Sequence, residues 1–228
     1  MKLVDWNVFW PPVRLSVQVA ASATAAAVLL GTACSRWMTL RKRKGTAWLE
    51  TIWMLPLVLP PSATGFLLLV VFGRNSFAGK VLEHIFGSPL VFSPAAAVVA
   101  AAVVSFPLVY QATKTGFLAV DRDLEDAART DGAGEWRVFR YVTLPLSSRS
   151  LLAAAILGFC RSLGEFGATL MVAGNIPGKT QTVPTAIYIA VGSGDMKTAW
   201  AWTASIVFLS FLLLLLADRL PANRPFSR

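Results

Sequence analysis

Long apolar runs separated by short charged segments dominate this chain of 228 residues. A helix that crosses the roughly 30 Å hydrocarbon core of a bilayer needs about 20 largely apolar residues. Runs of that length lie at residues 14–35, 50–72, 92–113, 148–173 and 199–217. The pattern predicts an all-α integral membrane protein with about five transmembrane helices, in which residues 1–228 form a single transmembrane domain.

The composition favours the same class of protein, because 55% of the residues are hydrophobic and only 14% are charged. Soluble domains carry about 25% charged residues. The two cysteines lie in separate apolar runs and the single histidine stands alone, so we expect neither a metal site nor a disulfide framework. The sequence also contains no Walker loop, dinucleotide-binding turn or nucleophile–base signature. We therefore expect no catalytic residues and no cofactor. If the protein moves a substance against a gradient, the energy must come from an ion gradient or a separate subunit.

The net charge of +9 is explained by the distribution of basic residues between the apolar runs. Fourteen Lys and Arg residues fall on one side of the predicted membrane and six on the other, while Arg161 lies within a run. The positive-inside rule places the N-terminus outside and the C-terminus in the cytoplasm. The first run is longer than the apolar core of a signal peptide and precedes a basic block, which favours a retained span. This arrangement predicts a lipid bilayer, not nucleic acid, as the surroundings of the chain.

The connecting loop, residues 114–147, is the longest predicted segment between two spans. Asp121 is a favourable N-terminal residue for a short helix, which Gly132 and Gly134 would end. A second short amphipathic piece follows at residues 136–141. The loop is thus predicted to form a knob of two short helices on the cytoplasmic face, and the alternative is an amphipathic helix lying on the membrane surface.

A spaced motif lies within the connecting loop. It consists of Asp126-Ala127-Ala128, three residues, Gly132, nine residues, and then Val142-Thr143-Leu144-Pro145. It resembles the EAA signature of ABC-importer permeases, with Asp in place of Glu and Val in place of Ile. In that family the loop forms coupling helices that seat in a groove of the ATPase subunit. The resemblance implies an ATPase-coupling role for Asp126, Ala127, Ala128, Gly132, Leu144 and Pro145, and Trp136 would suit an aromatic anchor.

Four further segments resemble the ModB-like molybdate permeases, and the similarity extends over residues 13–217. They are residues 56–65, 105–108, 161–168 and 175–180, and sulfate and tungstate permeases share parts of them, notably Leu-Gly-Glu-Phe-Gly. The resemblance implies a type I ABC importer permease fold in the bacterial inner membrane. It also implies a homodimer, two copies of an ABC ATPase, a periplasmic oxyanion-binding protein and import of molybdate, with sulfate or tungstate as the alternative substrate.

Two charged residues lie near the middle of the predicted fourth span. Arg161 and Glu165 are four residues apart, which would put them on one helix face, where they can pair. Charges at this depth are expected to face protein or water rather than lipid. One interpretation is that Arg161 lines or gates a path for a tetrahedral dianion and Glu165 masks it between passages. The other is that the pair fixes helix packing.

Pro60 and Pro61 interrupt the predicted second span. Prolines free backbone carbonyl groups that only protein or water can satisfy at this depth. The interpretations are a hinge or gate beside a central cavity, or a static kink. Residues 175–180 are interpreted as an external turn, either a plain surface turn or a contact for the binding protein.

An ion-coupled secondary carrier is the alternative class of protein. Such carriers often contain a mid-membrane carboxylate, which Glu165 would supply. They also often contain inverted repeats, and no internal repeat is evident in this sequence. The connecting loop would have no role in a carrier, so the sequence favours the importer permease.

Overall fold

A computed structural model describes residues 5–40 and 46–218, and every regular element within them is helical. The first helices are α1 (Trp6–Leu40), α2 (Ala47–Val58), α3 (Pro61–Phe72), α4 (Phe77–Phe86) and α5 (Pro94–Leu118). The connecting loop contains α6 (Arg122–Thr130), α7 (Glu135–Val138), a π-helical turn (Phe139–Thr143) and α8 (Leu144–Leu146). The chain continues with α9 (Ser148–Leu163), α10 (Gly167–Ala173), α11 (Val183–Gly192) and α12 (Met196–Asp218).

Helices α1, α5 and α9 pack against one another to form the centre of the molecule. Their contact surfaces are lined by small buried side chains, such as Ala23 and Ala27 of α1, Ala101 of α5 and Ala154 of α9. Small residues let helix backbones approach closely, which is the usual way for helices to associate where apolar burial gives no driving force.

The helical architecture confirms the predicted fold class. Among the described residues, α1, α5 and α12 are each long and apolar enough to cross a membrane. Two further candidate spans are pairs of helices bent at a short break: α2 with α3, at 116°, and the segment Glu135–Leu146 with α9, at 70°. The described residues therefore contain three to five candidate spans, in agreement with the predicted number of about five.

The observed helices differ from the predicted spans at several boundaries. Helix α1 starts at Trp6 because Asp5 accepts a hydrogen bond from the backbone N–H of Asn7 at 3.0 Å and so caps the first turn. Helix α5 continues to Leu118, so the first residues of the connecting loop are helical. The predicted fourth span is divided, because α9 ends at Leu163 and α10 starts at Gly167.

Two short helices between the spans are not predicted by the sequence. Helix α4 begins where the Ser76 hydroxyl accepts a hydrogen bond from the Gly79 N–H at 2.8 Å, and it ends at Gly87, whose φ is +69°. Helix α11 follows Thr182 and precedes α12. Each has only ten residues, which is too short to cross the apolar core of a bilayer.

Helix α1 connects the two ends of the molecule. Its 35 residues correspond to about 52 Å at 1.5 Å per residue. Near its C-terminal end, Arg36 contacts the connecting loop; near its N-terminal end, the Phe9 carbonyl accepts a hydrogen bond from the Trp202 indole of α12 at 3.1 Å. The connecting loop and the first turns of α12 thus lie at opposite ends. Arg41, Lys42, Arg43 and Lys44, which contribute to the predicted orientation, lie outside the described residues.

Candidate coupling and translocation sites

The connecting loop folds as two short helices on either side of a glycine bend. Helix α6 starts after Asp121, whose carboxylate accepts a hydrogen bond from the Asp123 N–H at 3.0 Å. Gly132 then adopts a φ of +85°, and no atom lies within 4 Å of the position that a Cβ would take. A side chain would have room here, so it is the backbone conformation that requires glycine. A left-handed conformation costs other residues about 1–2 kcal/mol.

The predicted coupling residues lie on the outside of this bend. Trp136 is a large aromatic side chain that is 72% exposed. The exposed members are Asp126, Ala127, Gly132, Trp136 and Pro145, and the partly exposed members are Ala128 and Leu144. The structure thus brings the motif residues of α6 and the anchor residue of α7 to an accessible surface.

Ion pairs hold the two sides of the bend together. Arg129 of α6 donates a hydrogen bond from Nε to Glu135 of α7 at 2.7 Å and another from Nη1 to Asp126 at 2.6 Å. Its Nη2 lies 3.4 Å from Glu125. The hydrogen bond from Arg129 lowers the pKa of Glu135 below its usual range, because it favours the ionised carboxylate.

Arg36 connects this bend to α1. Its Nη1 lies 3.2 Å from the Glu125 carboxylate and its Nη2 lies 3.1 Å from the Glu135 carboxylate. Its guanidinium group also lies 5.2 Å from the centre of the Phe139 ring, within the range of a cation–π interaction. Glu125 additionally accepts a hydrogen bond from the Thr143 hydroxyl. Arg36, Glu125, Arg129 and Glu135 are not among the residues predicted from the sequence. The one local signal is the four-residue spacing of Glu125 and Arg129, which is typical of an ion pair on one helix face.

Two helix breaks, one between α2 and α3 and the other between α9 and α10, lie against each other. Helix α2 ends before Pro60, and α3 begins at Pro61. A Cβ on Gly167, at the start of α10, would lie 2.9 Å from Pro61 Cβ. A Cβ on Gly65 of α3 would lie 2.8 Å from Ala168 Cα. The α3–α10 contact is therefore as close as glycine permits, and it brings Pro60 and Pro61 near the fourth span.

Arg161 and Glu165 form an ion pair at this second break. Arg161 Nη1 lies 2.8 Å from Glu165 Oε2, and the Ala168 N–H donates a hydrogen bond to Glu165 Oε1 at 2.9 Å. The Glu165 side chain is 2% exposed, whereas the Arg161 side chain is 32% exposed. The prediction that both residues lie on one helix face is wrong, because α9 ends at Leu163. They pair across the turn that follows, with Glu165 in the break and Arg161 at the more accessible edge.

The turn at residues 175–180 lies at the opposite end from the connecting loop. The Ile176 carbonyl accepts hydrogen bonds from the N–H groups of Lys179, at 3.0 Å, and Thr180, at 2.9 Å. Pro177 and Gly178 at its tip are exposed. A cavity of about 610 Å³ beside the turn is lined by Pro177, Gln181, Asp5, Asp195, Lys197 and Trp202, among others. The turn therefore has a fixed shape and an accessible tip.

Comparisons with known proteins place the chain in a family. Residues 24–223 match the model of the binding-protein-dependent transport system inner membrane component. The chain is 54% identical over 206 residues to YvgM of Bacillus subtilis (strain 168), named as a candidate molybdenum transport permease, with 90% of this chain and 91% of YvgM covered. It is 43% identical over 209 residues to the molybdenum transport system permease protein ModB of Escherichia coli (strain K12), with 90% and 91% covered.

The fold is also similar to that of a solved transporter. The MetNI methionine ABC transporter in an inward-facing conformation matches with a TM-score of 0.68 and 18% identity, over 95% of this chain and 97% of that chain. The chain belongs to the family of binding-protein-dependent transport system inner membrane components. It is a multi-pass inner-membrane transport subunit, not an enzyme, and such subunits work with a binding protein and an ATPase. The resemblance to the molybdate permeases and the type I importer fold are both confirmed.

Proposed function

We propose that this chain is the permease subunit of an ATP-driven importer that carries molybdate into the cytoplasm. The choice of molybdate as the substrate rests on two relatives named for molybdenum transport. The chain is 54% and 43% identical to them, over 90% of its length in each case. Residues 1–228 act as a single permease domain in this proposal.

The connecting loop is the proposed contact with the ATPase. Ala127 and Ala128 leave room for a close approach, and Gly132 provides the bend that presents α6 and α7 together. Trp136 is a large exposed aromatic side chain of the kind that fills a pocket in a partner. Asp126 lies beside them, and Leu144 and Pro145 complete the motif where the chain returns to α9.

The proposed orientation places the connecting loop in the cytoplasm and the N-terminus outside. The positive-inside distribution supports it, since the loop side carries most Lys and Arg residues. Exposed tryptophans also fit this placement. Trp10 and Trp200 lie at the end opposite the loop, whereas Trp37 and Trp48 lie near the loop end, as in interfacial belts. The turn at residues 175–180 then faces outward, where a periplasmic oxyanion-binding protein would dock.

The functional unit is proposed to be a two-fold homodimer with two ATPase copies. The three to five candidate spans in the described part of the chain are too few to enclose a pathway, so a second copy would supply the other wall. Apolar side chains on the bent pair are exposed in a single chain, among them Leu55 and Val58 of α2 and Phe66 and Val70 of α3. These faces are available to lipid and to a second copy.

The facing breaks are proposed to form the translocation path and its gate. Arg161 attracts a tetrahedral dianion, and Glu165 neutralises the guanidinium in the absence of substrate. This arrangement avoids a permanently bare arginine, which would bind the anion too tightly to release it. Pro60 and Pro61 supply the interruption at which α3 can change its angle to α2. Together these residues would define a narrow point beside the α3–α10 contact.

In the proposed cycle, ATP binding draws the two ATPases together and moves the connecting loops with them. The cavity then changes from inward-facing to outward-facing, and the binding protein releases its anion into it. ATP hydrolysis resets the cycle. The permease hydrolyses nothing, so its contribution is the path and the transfer of movement.

Native mass spectrometry of the complex purified with its co-expressed ATPase in mild detergent tests the proposed assembly. We expect two copies of this chain with two copies of the ATPase. A matched variant that replaces Trp136 by Ala should lose the ATPase and keep the permease dimer. A permease that is isolated alone, or a complex that is insensitive to Trp136→Ala, would contradict the proposed contact.

Competition during uptake tests the proposed substrate. Labelled molybdate at low concentration should still enter proteoliposomes containing the complete importer when sulfate is present in large excess. Abolition of uptake by sulfate would reassign the substrate to sulfate, and stronger competition by tungstate would reassign it to tungstate. Because discrimination is expected mostly in the binding protein, the same binding protein is used in every arm.

A further inference from the structure

We propose that Arg36 is a positioning residue that transfers movement of the connecting loop to α1. The inference rests on the proposed function of the loop as the ATPase contact. It assigns a role to a residue outside the loop motif. Arg36 lies in the last turns of α1, while the carboxylates that it contacts lie 89 and 99 residues further along the chain.

The geometry of Arg36 is that of a two-sided clamp. One guanidinium nitrogen binds Glu125, which lies before the Gly132 bend, and another binds Glu135, which lies after it. The Arg36 side chain is only 12% exposed. A displacement of either short helix would therefore pull on the same buried group. The Phe139 ring beneath the guanidinium limits the directions in which it can yield.

The planar guanidinium is suited to this task in a way that an ammonium group is not. Arginine presents several N–H donors in a fixed fork, so Nη1 and Nη2 can each serve a different carboxylate. Lysine is a compact point charge on a flexible stem. A lysine at position 36 would still attract Glu125 or Glu135, but it would not hydrogen-bond to both carboxylates at the same time.

The connecting loop does not need Arg36 to keep its own shape. Arg129 already joins Glu125, Asp126 and Glu135 within the loop, across the bend. Removal of Arg36 would therefore leave two helices that still hold each other but have lost their ion pairs to α1. Because different ion pairs hold the loop together and attach it to α1, the effect of losing the attachment can be measured separately from loss of the loop's own structure.

Helix α1 can transmit the movement of the connecting loop, because it extends to the other end of the molecule. Next to Arg36, the Ser35 hydroxyl donates a hydrogen bond to the Tyr110 carbonyl of α5 at 3.0 Å. Towards the opposite end, the Ser16 hydroxyl accepts a hydrogen bond from the Val183 N–H of α11 at 2.8 Å. A continuous helix between these points would carry a displacement at Arg36 to the external end.

The test compares transport with ATP hydrolysis in proteoliposomes that contain the complete importer, its binding protein and molybdate. The variants are Arg36→Ala, Arg36→Lys and the matched control Arg74→Ala. Arg74 also forms an arginine–carboxylate pair, with Glu83 at 3.2 Å, but it lies between α3 and α4 and its side chain is 67% exposed. The measured quantity is the number of molybdate ions imported per ATP hydrolysed.

We expect Arg36→Ala to lower this ratio at least tenfold while the ATPase still co-purifies and hydrolyses ATP. Arg36→Lys should recover part of the ratio, and Arg74→Ala should match the wild type. Hydrogen exchange of residues 122–138 supplies the second readout. Protection there should persist in Arg36→Ala, because the Arg129 pairs remain.

An unchanged ratio in Arg36→Ala, in a system where the wild type imports molybdate with ATP, would overturn the inference alone. Loss of ATPase binding or of protection at residues 122–138 would also overturn it, because Arg36 would then maintain the loop itself. If the wild-type complex showed no ATP-driven uptake, the proposed function would fail and the inference with it. The wild-type arm therefore separates the two failures.

Discussion

Substitution of Gly65 by alanine tests the close contact between α3 and α10. A Cβ at this position would lie 2.8 Å from both Ala168 Cα and Met171 Cβ. Carbon atoms pack best at about 3.5–4.0 Å, so the two helices would have to separate by roughly 1 Å. Because one of the opposing atoms is backbone, the contact cannot be relieved by a side-chain rotation alone.

The expected free-energy change has an unusual sign for this substitution. Glycine to alanine in a helix interior normally stabilises a protein by about 0.5–1 kcal/mol. Overpacking a close contact typically destabilises it by about 1–3 kcal/mol. The middle of each range gives a net destabilisation of about 1 kcal/mol at Gly65. Movement of α10 would also lengthen the hydrogen bond from the Ala168 N–H to Glu165 and so disturb the Arg161 pair.

Thermal unfolding of the purified permease in detergent, together with uptake by the reconstituted importer, measures this effect. The control is Gly192→Ala near the end of α11, where no atom lies within 4 Å of the new Cβ. Gly65→Ala should unfold at a lower temperature and import less molybdate, whereas Gly192→Ala should unfold at the same or a higher temperature. Equal midpoints and equal uptake for the two variants would refute the close contact.

Three further predictions concern the path and the loop. Glu165→Gln should reduce molybdate uptake at least tenfold and increase retention of the anion by the permease, because the carboxamide cannot neutralise the neighbouring guanidinium; wild-type uptake and retention would contradict this. Gly132→Val places a β-branched residue at a φ of +85° and should weaken ATPase binding in a pull-down. The control Gly134→Ala, at a φ of −68°, should bind the ATPase normally. Equal binding by both variants would contradict the proposed role of the Gly132 bend. Arg129→Gln should raise the pKa of Glu135 towards its ordinary value in a carbon-13 NMR titration, since the Arg129 hydrogen bond lowers it. The pairing therefore stabilises the loop above the ordinary glutamate pKa of about 4.3 and is lost as the pH falls through the lowered value, and an unshifted titration would refute the pairing.

Much of the membrane architecture could be predicted from the sequence because insertion depends on runs of about 20 apolar residues. Helices α1 and α12 each contain a predicted span, and α5 covers all but the first two residues of another. The short helices of the connecting loop were also predictable, since Asp121 and Gly132 are strong local signals for a helix start and a bend.

The two helix breaks were only partly predictable. Pro60 and Pro61 indicate an interruption, but hydropathy does not give the 116° angle between α2 and α3. The break after Leu163 has no proline, and it left Arg161 and Glu165 off a common helix face. Gly164 and Gly167 flank this break and are local signals for it, but the close approach of Gly167 to Pro61 is a tertiary contact that a local pattern does not describe.

The attachment of the connecting loop to α1 was not predictable from one sequence. Arg36 counted only as one basic residue among those that set the orientation. Its partners Glu125 and Glu135 lie far along the chain, and no spacing rule relates them. The structure was needed because ion pairs between distant segments depend on tertiary packing.

The most direct test of the central claim is the energy source of uptake. Proteoliposomes containing this chain, its ATPase and its binding protein should import molybdate only when ATP is present on the ATPase side. A proton ionophore should leave this uptake unchanged. Uptake that persists without ATP and collapses when the ionophore removes the proton gradient would contradict the account and identify an ion-coupled carrier.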